Sequence, residues 1–442
     1  MINTSTMAVS ICDVQNYEWT SQRLWGHHID TAAKSQTDVY SIDIQGWILG
    51  RSSRDVDAVE IVHEGTVIQN TSLGISRPDV ATAYSKVAHA EHSGFRATVS
   101  VLPMKPEIQL FVQAILQDDS RVEIGVIQAR RHALQSNFQP RLQPLILANL
   151  GRSGSTWLTQ LLGEHPQITT YHPFQYEPRV ASYWMEILRV LSDPASYLQS
   201  ISTERGDPYW WIGDKHASHL PLFATSDPLM HRWLGREAIE ELAGFCQSRI
   251  EKFYEQAADA QGKRKPLYFA ERYYGTSRFA TMVMWELYSQ ARQIILVRDL
   301  RDMLCSMLAF NKKTRLTRFG RERVNSDEDF VHHIGLLYRD LLRMWKASEG
   351  KVYLLRYEDL VLRPQEALTS IMKYLEVDYD SATIRLMLQT AMEKATELQH
   401  QHKTSTSLKA SIGRWQRDLD PLLQALCQDV FGDVLEGFGY VK

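Results

Sequence analysis

The sequence has 442 residues, of which 44% are hydrophobic and 23% are charged. This composition is typical of a globular protein with a substantial core, and the length leaves room for more than one domain. The formal net charge of −3 excludes a general electrostatic attraction to nucleic acid or to an anionic membrane, so any anion-binding site must be a local feature.

The cysteines and the N-terminal segment bear on the cellular compartment. Cys12, Cys246, Cys305 and Cys427 lie far apart and show no C-x-x-C spacing, so the sequence suggests neither a metal site nor a disulfide scaffold. The first ten residues lack the basic region and the long apolar stretch of a signal peptide. No run approaches the roughly 20 apolar residues of a membrane span. We therefore expect a cytoplasmic protein.

The first 128 residues predict a lead-in followed by a small β domain. Residues 1–37 are mixed in character and predict a partly ordered lead-in, and residues 38–128 contain short segments with period-2 alternation separated by turn signals. These segments are Val39–Ile44, Ala58–Val62, Phe95–Val101 and Ile108–Ala114. Their spacing indicates an antiparallel β-sandwich. We interpret it as an accessory domain for packing or for recruiting an acceptor, and residues 129–143 as a polar linker.

The second predicted domain, residues 144–442, opens with a strand, a glycine loop and a helix. Leu145–Leu150 is a short apolar run, as in a strand that is buried on both faces of a parallel sheet. Gly151 and Gly154 in the following loop allow the backbone to approach an anion, which the loop N–H groups and the helix N-terminus would face. Arg152 adds a charge that could hold an oxyanion.

The rest of this domain predicts a doubly wound parallel sheet, and so an α/β fold. Residues 179–265 are mainly helical in pattern and rich in aromatic side chains, which form either core or a cover for an acceptor. Further strands are expected at Pro266–Ala270, Gln293–Val297 and Lys351–Leu355, with helices between them.

The glycine loop differs from the nucleoside-triphosphate loop, because its glycines are too close and no Lys-Ser/Thr pair follows. It resembles the 5′-phosphosulfate loop of sulfotransferases that use 3′-phosphoadenosine-5′-phosphosulfate (PAPS). The resemblance implies a PAPS-dependent sulfotransferase that requires no metal. It also implies that the loop binds the cofactor through Gly151, Arg152, Ser153, Gly154, Ser155, Thr156 and Trp157, with Trp157 stacking on adenine.

A second motif follows the expected strand at Gln293–Val297. Arg298 comes at the carboxyl end of that strand, where ligands of open parallel sheets bind, and Ser306 lies two turns into the next helix. Asp299 can cap this helix. The residues alone also fit a capped helix beside a structural Arg–Asp pair. The spacing resembles the 3′-phosphate motif of sulfotransferases, which assigns Arg298 and Ser306 to the cofactor.

Two later motifs complete the resemblance, which covers about residues 144–420. Tyr357 begins the string Tyr-Glu-Asp found widely in sulfotransferases, and it could reach the nucleotide or belong to a buried structural group. The segment from Ser407 to Trp415 resembles the C-terminal loop that covers the 3′-phosphate in cytosolic members. Lys409 and Ser411 are the candidate ligands there, although Leu408 and Ala410 stand where that motif has Arg and Gly, and Lys409 could also be a solvated residue.

The general base has three candidates in the sequence. Cytosolic members use a His two residues after a Lys, but here those positions are Tyr274 and Arg272. Arg272 should help to hold the phosphosulfate. Protein-tyrosine and many carbohydrate sulfotransferases use a Glu after the phosphosulfate helix, and Glu177 is our first candidate on that resemblance. His172, whose unperturbed pKa is near ~6.5, is the second, and His216 is the third.

The acceptor and two rival functions remain open at this point. A carbohydrate hydroxyl leads as acceptor, or an amine in its place, followed by a secondary metabolite or a lipid alcohol. Arg152 is the candidate for stabilising charge on the leaving oxygen. A nucleotide kinase-like enzyme and an inactive binding module are the rivals. The basic run from Lys312 to Arg323 could meet an anionic acceptor or be a solvated helix face, and the second interpretation is favoured. It lacks the interleaved aromatics of a nucleic-acid platform, so no nucleic-acid partner is expected.

Overall fold

The structure is a computed structural model that describes residues 7–18, 23–171, 178–192, 235–273, 278–348, 350–393 and 404–441. The chain divides into two compact units, each of which is discontinuous in sequence. The first consists of Met1–Phe138, Met185–Cys246 and Phe279–Leu287, and the second of Gln139–Trp184, Gln247–Arg278 and Tyr288–Lys442.

The first unit contains the predicted all-β region. Its strands form a six-stranded sheet of order β3-β1-β9-β8-β5-β6 and a three-stranded sheet of order β2-β4-β7, both antiparallel. The strands are β1 (Val9–Asn16), β2 (Leu24–Ile29), β3 (Gln36–Thr37), β4 (Ser41–Gly50), β5 (Val56–His63), β6 (Thr66–Thr71), β7 (Gly94–Ser100), β8 (Glu107–Leu116) and β9 (Arg121–Arg131).

Alternation of apolar and polar residues explains the strands that were predicted here. In β8 the buried positions Ile108, Leu110, Val112 and Ala114 alternate with more exposed ones, so one face meets the core. The structure extends this unit beyond the expected segments, because β1 and β2 lie within residues 1–37 and β9 continues to Arg131, inside the stretch interpreted as a linker.

The second unit contains a five-stranded parallel sheet of order β11-β12-β10-β13-β14, which confirms the predicted α/β class. Its strands are β10 (Gln143–Ala148), β11 (Ile168–Thr170), β12 (Tyr268–Tyr273), β13 (Arg292–Val297) and β14 (Val352–Arg356). Every residue of β10 is buried, as the continuous apolar run predicted, because helices cover both faces of such a sheet. The carboxyl ends of all five strands therefore meet at one edge.

Apart from the first, which lies in the all-β region, the helices of the described residues come between or after the strands of the parallel sheet in the chain. They are α1 (Pro78–Ala83), α2 (Ser155–Gly163), α3 (Val180–Ser192), α4 (Arg236–Ala260), α5 (Arg278–Leu287), α6 (Leu300–Thr314), α7 (Asp327–Lys346), α8 (Tyr357–Leu362), α9 (Pro364–Leu375), α10 (Ser381–Glu393), α11 (Trp415–Asp418) and α12 (Pro421–Gly437). In the part of the chain that the structure describes, no helix combines the length and apolarity that crossing a membrane requires.

Candidate active site

The loop between β10 and α2 has the geometry of an anion site. Arg152 and Gly154 both adopt left-handed backbone conformations, with φ of 61° and 92°, and Gly154 caps α2. A Cβ atom at Gly154 would lie 2.5 Å from Cδ2 of Tyr357, so only glycine fits this turn. The first N–H groups of a helix have no intrahelical acceptor and carry a partial positive charge. The loop therefore presents donors to a negatively charged ligand.

A buried hydroxyl in this loop supports the same conclusion. Ser153 has no exposed surface, and its Oγ has no hydrogen-bond partner within the described ranges. A buried polar atom without a partner is costly and needs an explanation. An anionic oxygen held by the loop would supply the missing partner, and the Ser153 environment therefore fits a phosphate-bearing ligand.

Arg298 ties this loop to the C-terminal segment. It follows β13 at the carboxyl edge of the sheet, and it is 4% exposed. Its Nη1 donates to the carbonyl oxygen of Arg152 at 3.1 Å, and its Nη2 donates to that of Ser411 at 2.6 Å. The guanidinium carbon lies 4.7 Å from the centre of the Tyr357 ring. The Nε of Arg298 is buried and has no partner among the atoms that the structure describes, so one donor remains for a ligand.

Ser306 and Arg152 form a second polar group beside Arg298. The Nε of Arg152 donates to Oγ of Ser306 at 3.0 Å, and that hydroxyl lies 3.0 Å from Oγ1 of Thr404. Arg414 also donates to Oγ1 of Thr404, at 3.2 Å. The Arg152 guanidinium lies 5.0 Å from the ring centre of Phe310. The Arg152 side chain is thus directed along α6 to Ser306.

Arg272 contacts the first turn of α2, which includes Trp157. Nη1 of Arg272, near the end of β12, donates to Oγ of Ser155 at 3.0 Å and to Oγ1 of Thr156 at 3.1 Å. These contacts bring three residues of the predicted site together at the helix N-terminus. Trp157 is half-buried against the core of the second unit.

The C-terminal motif brings Ser411 into the site and leaves Lys409 at the surface. The buried Ser411 hydroxyl lies 3.1 Å from the hydroxyl of Tyr357 and donates to the carbonyl oxygen of Leu408 at 2.6 Å. Lys409 is exposed in a short 3-10 helix, Lys409–Ser411. The contacts of Tyr357 with Gly154, Arg298 and Ser411 show that it joins three parts of the site.

Asp302 holds the C-terminal loop in place. Its two carboxylate oxygens accept hydrogen bonds from the backbone N–H of Gly413 at 2.6 Å and of Trp415 at 2.9 Å. Burial raises the pKa of Asp302, although these two bonds oppose the change. The predicted cap of α6 by Asp299 is present, since its side chain accepts from the N–H of Arg301.

Glu271 is a buried acid that the sequence did not single out. It precedes Arg272 in β12, and its carboxylate accepts hydrogen bonds of 3.1 Å from the N–H groups of Val180 and Ala181. Burial raises the pKa of Glu271 to about 8, against the opposing effect of those bonds. The residue thereby fixes the first turn of α3 to the end of β12.

The acids that follow Tyr357 have structural contacts. Glu358 is deeply buried, accepts from the N–H of Asp299 at 3.1 Å and from the hydroxyl of Tyr440 at 2.7 Å, and has a pKa that burial raises. Asp359 pairs with Arg356 and Arg363. These contacts favour the structural interpretation of the two acids.

Several residues that the sequence assigned to the site lie outside the part of the chain that the structure describes. Glu177, His172 and His216 lie outside the described residues, as does Tyr274. Thr404 and Arg414 were missed, because the polar stretch around Thr404 shows no spacing that predicts a site. Thr404 is identified by its contact with Ser306, and Arg414 by its hydrogen bond to Thr404.

A family model matches the part of the chain that contains the parallel sheet. Residues 144–381 match the family model described as the sulfotransferase family. Carbohydrate sulfotransferase 1 of Rattus norvegicus is 30% identical over 162 residues, which are 33% of this chain and 38% of the rat protein. The match therefore spans well under half of that relative.

Solved structures with similar folds share little sequence with this chain. A mouse sulfotransferase complexed with PAP is 12% identical, with a TM-score of 0.37, and the match covers 69% of this chain and 90% of that one. The sulfotransferase domain of the Synechococcus PCC 7002 olefin synthase is 20% identical, with a TM-score of 0.38, and the match covers 70% and 100% of the two chains.

Proposed function

The chain belongs to the sulfotransferase family, and from this premise we propose that it transfers a sulfuryl group from PAPS to a hydroxyl of a carbohydrate or small-molecule acceptor. One observation carries the proposal. Arg298 donates to the carbonyl oxygen of Arg152 at 3.1 Å and lies over the same Tyr357 ring that Gly154 contacts. The glycine loop and the Arg298 site therefore open at one place, where a single nucleotide can reach both.

We assign the two ends of the nucleotide to two sets of residues. The 5′-phosphosulfate end would be held by the loop N–H groups and by Ser153, Ser155, Thr156 and Arg272. The 3′-phosphate end would be held by Arg298, Ser306 and Ser411. The hydrogen bonds of Arg272 with Ser155 and Thr156, and of Arg298 with Ser411, each lie within one set and support this division.

The remaining predicted ligands take roles consistent with their positions. Trp157, at the first turn of α2, is proposed to stack on adenine, and Tyr357 to shape the nucleotide site through its ring and hydroxyl. Lys409 is proposed as a surface contact to the 3′-phosphate.

PAPS supplies the sulfuryl group, whose sulfur bonds to the acceptor oxygen while its bond to the phosphate oxygen breaks. The residues of the chain must stabilise charge on that phosphate oxygen and accept the proton of the acceptor. Arg272 is proposed for the charge, because its guanidinium group contacts the Ser155 and Thr156 hydroxyls. Arg152 is proposed for it on the resemblance alone, because its guanidinium group donates to Ser306 at the 3′-phosphate end. Preorganised cations of this kind are worth most where water is excluded.

Glu177 is proposed as the general base, with His172 and then His216 as the other candidates. The support comes from the resemblance to members with a Glu base. A carbohydrate acceptor is favoured by the similarity to the rat carbohydrate sulfotransferase.

The nucleotide assignment is tested by calorimetry with PAPS and with 3′,5′-diphosphoadenosine. We expect Arg298→Ala to weaken both ligands by about 10- to 100-fold, because a hydrogen bond to a charged group contributes about 1.5–3 kcal/mol. Arg385→Ala, which removes an exposed cation on α10, is the matched control. Unchanged affinity of the Arg298→Ala variant for both ligands, with a cooperative thermal transition retained, would refute the assignment.

The base is tested by turnover. We expect Glu177→Gln to lower kcat by about 10²–10⁴-fold, the usual contribution of general base catalysis, and to leave the affinity for PAPS unchanged. Near-normal turnover would remove Glu177 from the mechanism and direct the same test to His172.

A further inference from the structure

A cavity of about 670 Å³ lies between α3 and α4 in the second unit. Its volume falls in the range of small-molecule binding sites. The described residues that line it are Arg179, Val180, Tyr183, Trp184, Arg249, Lys252, Phe253 and Gln256. None of them belongs to the proposed nucleotide site.

The cavity borders β12 and the residue that follows β11. The N–H of Val180, in its wall, donates to Glu271 in β12. The Phe253 ring lies 5.8 Å from that of Phe269 in β12 and 5.9 Å from that of Tyr171, the residue that follows β11. In the sheet, β10 separates β12 from β13. The cavity is therefore on the side of the glycine loop away from Arg298, where an acceptor would approach the sulfuryl end of the nucleotide.

The lining of the cavity is positively charged. Arg179, Arg249 and Lys252 contribute three cations, and the described part of the lining contains no Asp or Glu. Within the described residues, neither Arg249 nor Lys252 forms an ion pair with a carboxylate. The nearby acids on α4 are engaged elsewhere, since Glu251 and Glu255 pair with Arg141. With a formal charge of −3 for the whole chain, this concentration of cations is a local feature.

Aromatic rings accompany the cations. Tyr183 is 63% exposed. Its ring packs edge to face against that of Trp184, with 5.6 Å between the ring centres. The guanidinium carbon of Arg249 lies 5.8 Å from the centre of the Trp184 ring. Aromatic side chains offer a flat apolar face, and arginine binds carboxylate or sulfate groups in a bidentate manner. A sugar ring that carries an anionic group presents both complementary features.

We propose that this cavity, here called the α3–α4 cavity, is the acceptor subsite and that it selects a carbohydrate bearing a carboxylate or sulfate group near the hydroxyl to be sulfated. The inference rests on the proposed function, because it assumes that the acceptor approaches from the β12 side. A neutral sugar would satisfy the aromatic rings but offer no anionic group to Arg249 and Lys252. The cations would therefore favour an acidic carbohydrate over a neutral one, in addition to increasing the affinity.

The test measures direct binding by the full chain, saturated with 3′,5′-diphosphoadenosine, of two probes. The acidic probe is a chondroitin tetrasaccharide, which contains glucuronate, and the neutral probe is chitotetraose. We expect the wild type to bind the acidic probe at least about tenfold more tightly, from charge-assisted contacts that solvent partly screens. The preference should decrease as salt is raised, because exposed charges are screened.

Two double variants distinguish the contribution of the cavity to probe binding from that of the overall charge. Arg249→Gln with Lys252→Gln should weaken the acidic probe about tenfold and leave chitotetraose and 3′,5′-diphosphoadenosine unchanged. Lys373→Gln with Arg385→Gln removes two exposed cations elsewhere in the second unit and should change none of the three affinities.

The outcomes distinguish the two proposals. Equal affinity of the wild type for both probes, no binding of the acidic probe, or equal losses in the two double variants would overturn the acceptor subsite while nucleotide binding persists. Failure of the wild type to bind PAPS or its product would instead overturn the proposed function. Direct binding of the acidic probe does not depend on transfer. If the nucleotide does not bind, the same measurement on the nucleotide-free chain tests the cavity.

Discussion

Asp302 offers a sharp test of how the C-terminal segment contributes to the site. Its carboxylate accepts one N–H from Gly413 and one from Trp415, and it is 1% exposed. The substitution Asp302→Asn keeps the shape but replaces one acceptor oxygen with an NH₂ group that cannot accept. One of the two backbone N–H groups would then face a donor inside the protein.

The size of the effect follows from those two bonds. A hydrogen bond to a charged group contributes about 1.5–3 kcal/mol, so losing one of them sets a scale of about 2 kcal/mol. The raised pKa of Asp302 shows that burial already disfavours its charge, and removing the charge returns part of that cost. We therefore expect Asp302→Asn to lower the free energy of unfolding by about 1–2 kcal/mol.

The functional effect should exceed the loss of global stability. Ser411 accepts the hydrogen bond of Arg298 and lies two residues before Gly413, so loosening the segment releases a partner of the nucleotide site. We expect the affinity for 3′,5′-diphosphoadenosine to fall by about tenfold or more, measured by calorimetry at a temperature where the variant is folded. Hydrogen exchange of residues 408–418 should accelerate at the same time.

The control for this test is Asp429→Asn, an exposed position on α12 in the same unit. It should change neither stability nor affinity. If Asp302→Asn binds 3′,5′-diphosphoadenosine as tightly as the wild type while residues 408–418 exchange faster, the segment does not contribute to the nucleotide site and the reasoning fails.

Two further predictions follow from the loop and from the buried acid beside it. Gly154→Ala should destabilise the protein by about 2–4 kcal/mol in chemical denaturation and abolish nucleotide binding, because a left-handed alanine costs about 1–2 kcal/mol and its Cβ would overlap Tyr357. The control is Gly262→Ala, because Gly262 has a φ of 65° and open space around it, so only the cost of a left-handed alanine, about 1–2 kcal/mol, should appear. Equal losses of stability in the two variants would contradict the close packing of Gly154 against Tyr357. Because the pKa of Glu271 is raised from 4.5 to about 8, its contribution to stability is full below pH 4.5 and is lost as the pH rises through about 8. Glu271→Gln should therefore flatten the decline in stability over that range in unfolding measured at a series of pH values, and an unchanged slope would show that Glu271 does not titrate there.

The parallel sheet was largely predictable because its central strands are continuous apolar runs. The run at Leu145–Leu150 and the segment at Gln293–Val297 correspond to β10 and β13. β11 was missed because three residues are too few to show a pattern. β2 was missed because Leu24–Ile29 contains a glycine and two histidines, and its pairing with β4 determines its conformation.

The nucleotide site was predictable where its residues follow strand ends. Arg298 and Ser306 could be chosen because a strand end and a helical spacing place them, and the structure brings both to Arg152. The direction of the Arg152 side chain could not be predicted, because it depends on Ser306 and Thr404, which are remote in sequence. The interaction of Asp302 with the C-terminal loop is likewise a long-range contact that no local pattern indicates.

The distances along the chain between these contacts have a consequence for how the protein acquires activity. Arg152 reaches Thr404 across 252 positions, and Arg298 reaches Ser411 across 113. Contacts between such remote positions form slowly, because the intervening chain must first be ordered. The nucleotide can therefore bind only to a nearly complete fold. Nucleotide added during refolding should leave the rates of the early phases unchanged and change the rate or amplitude of the last phase.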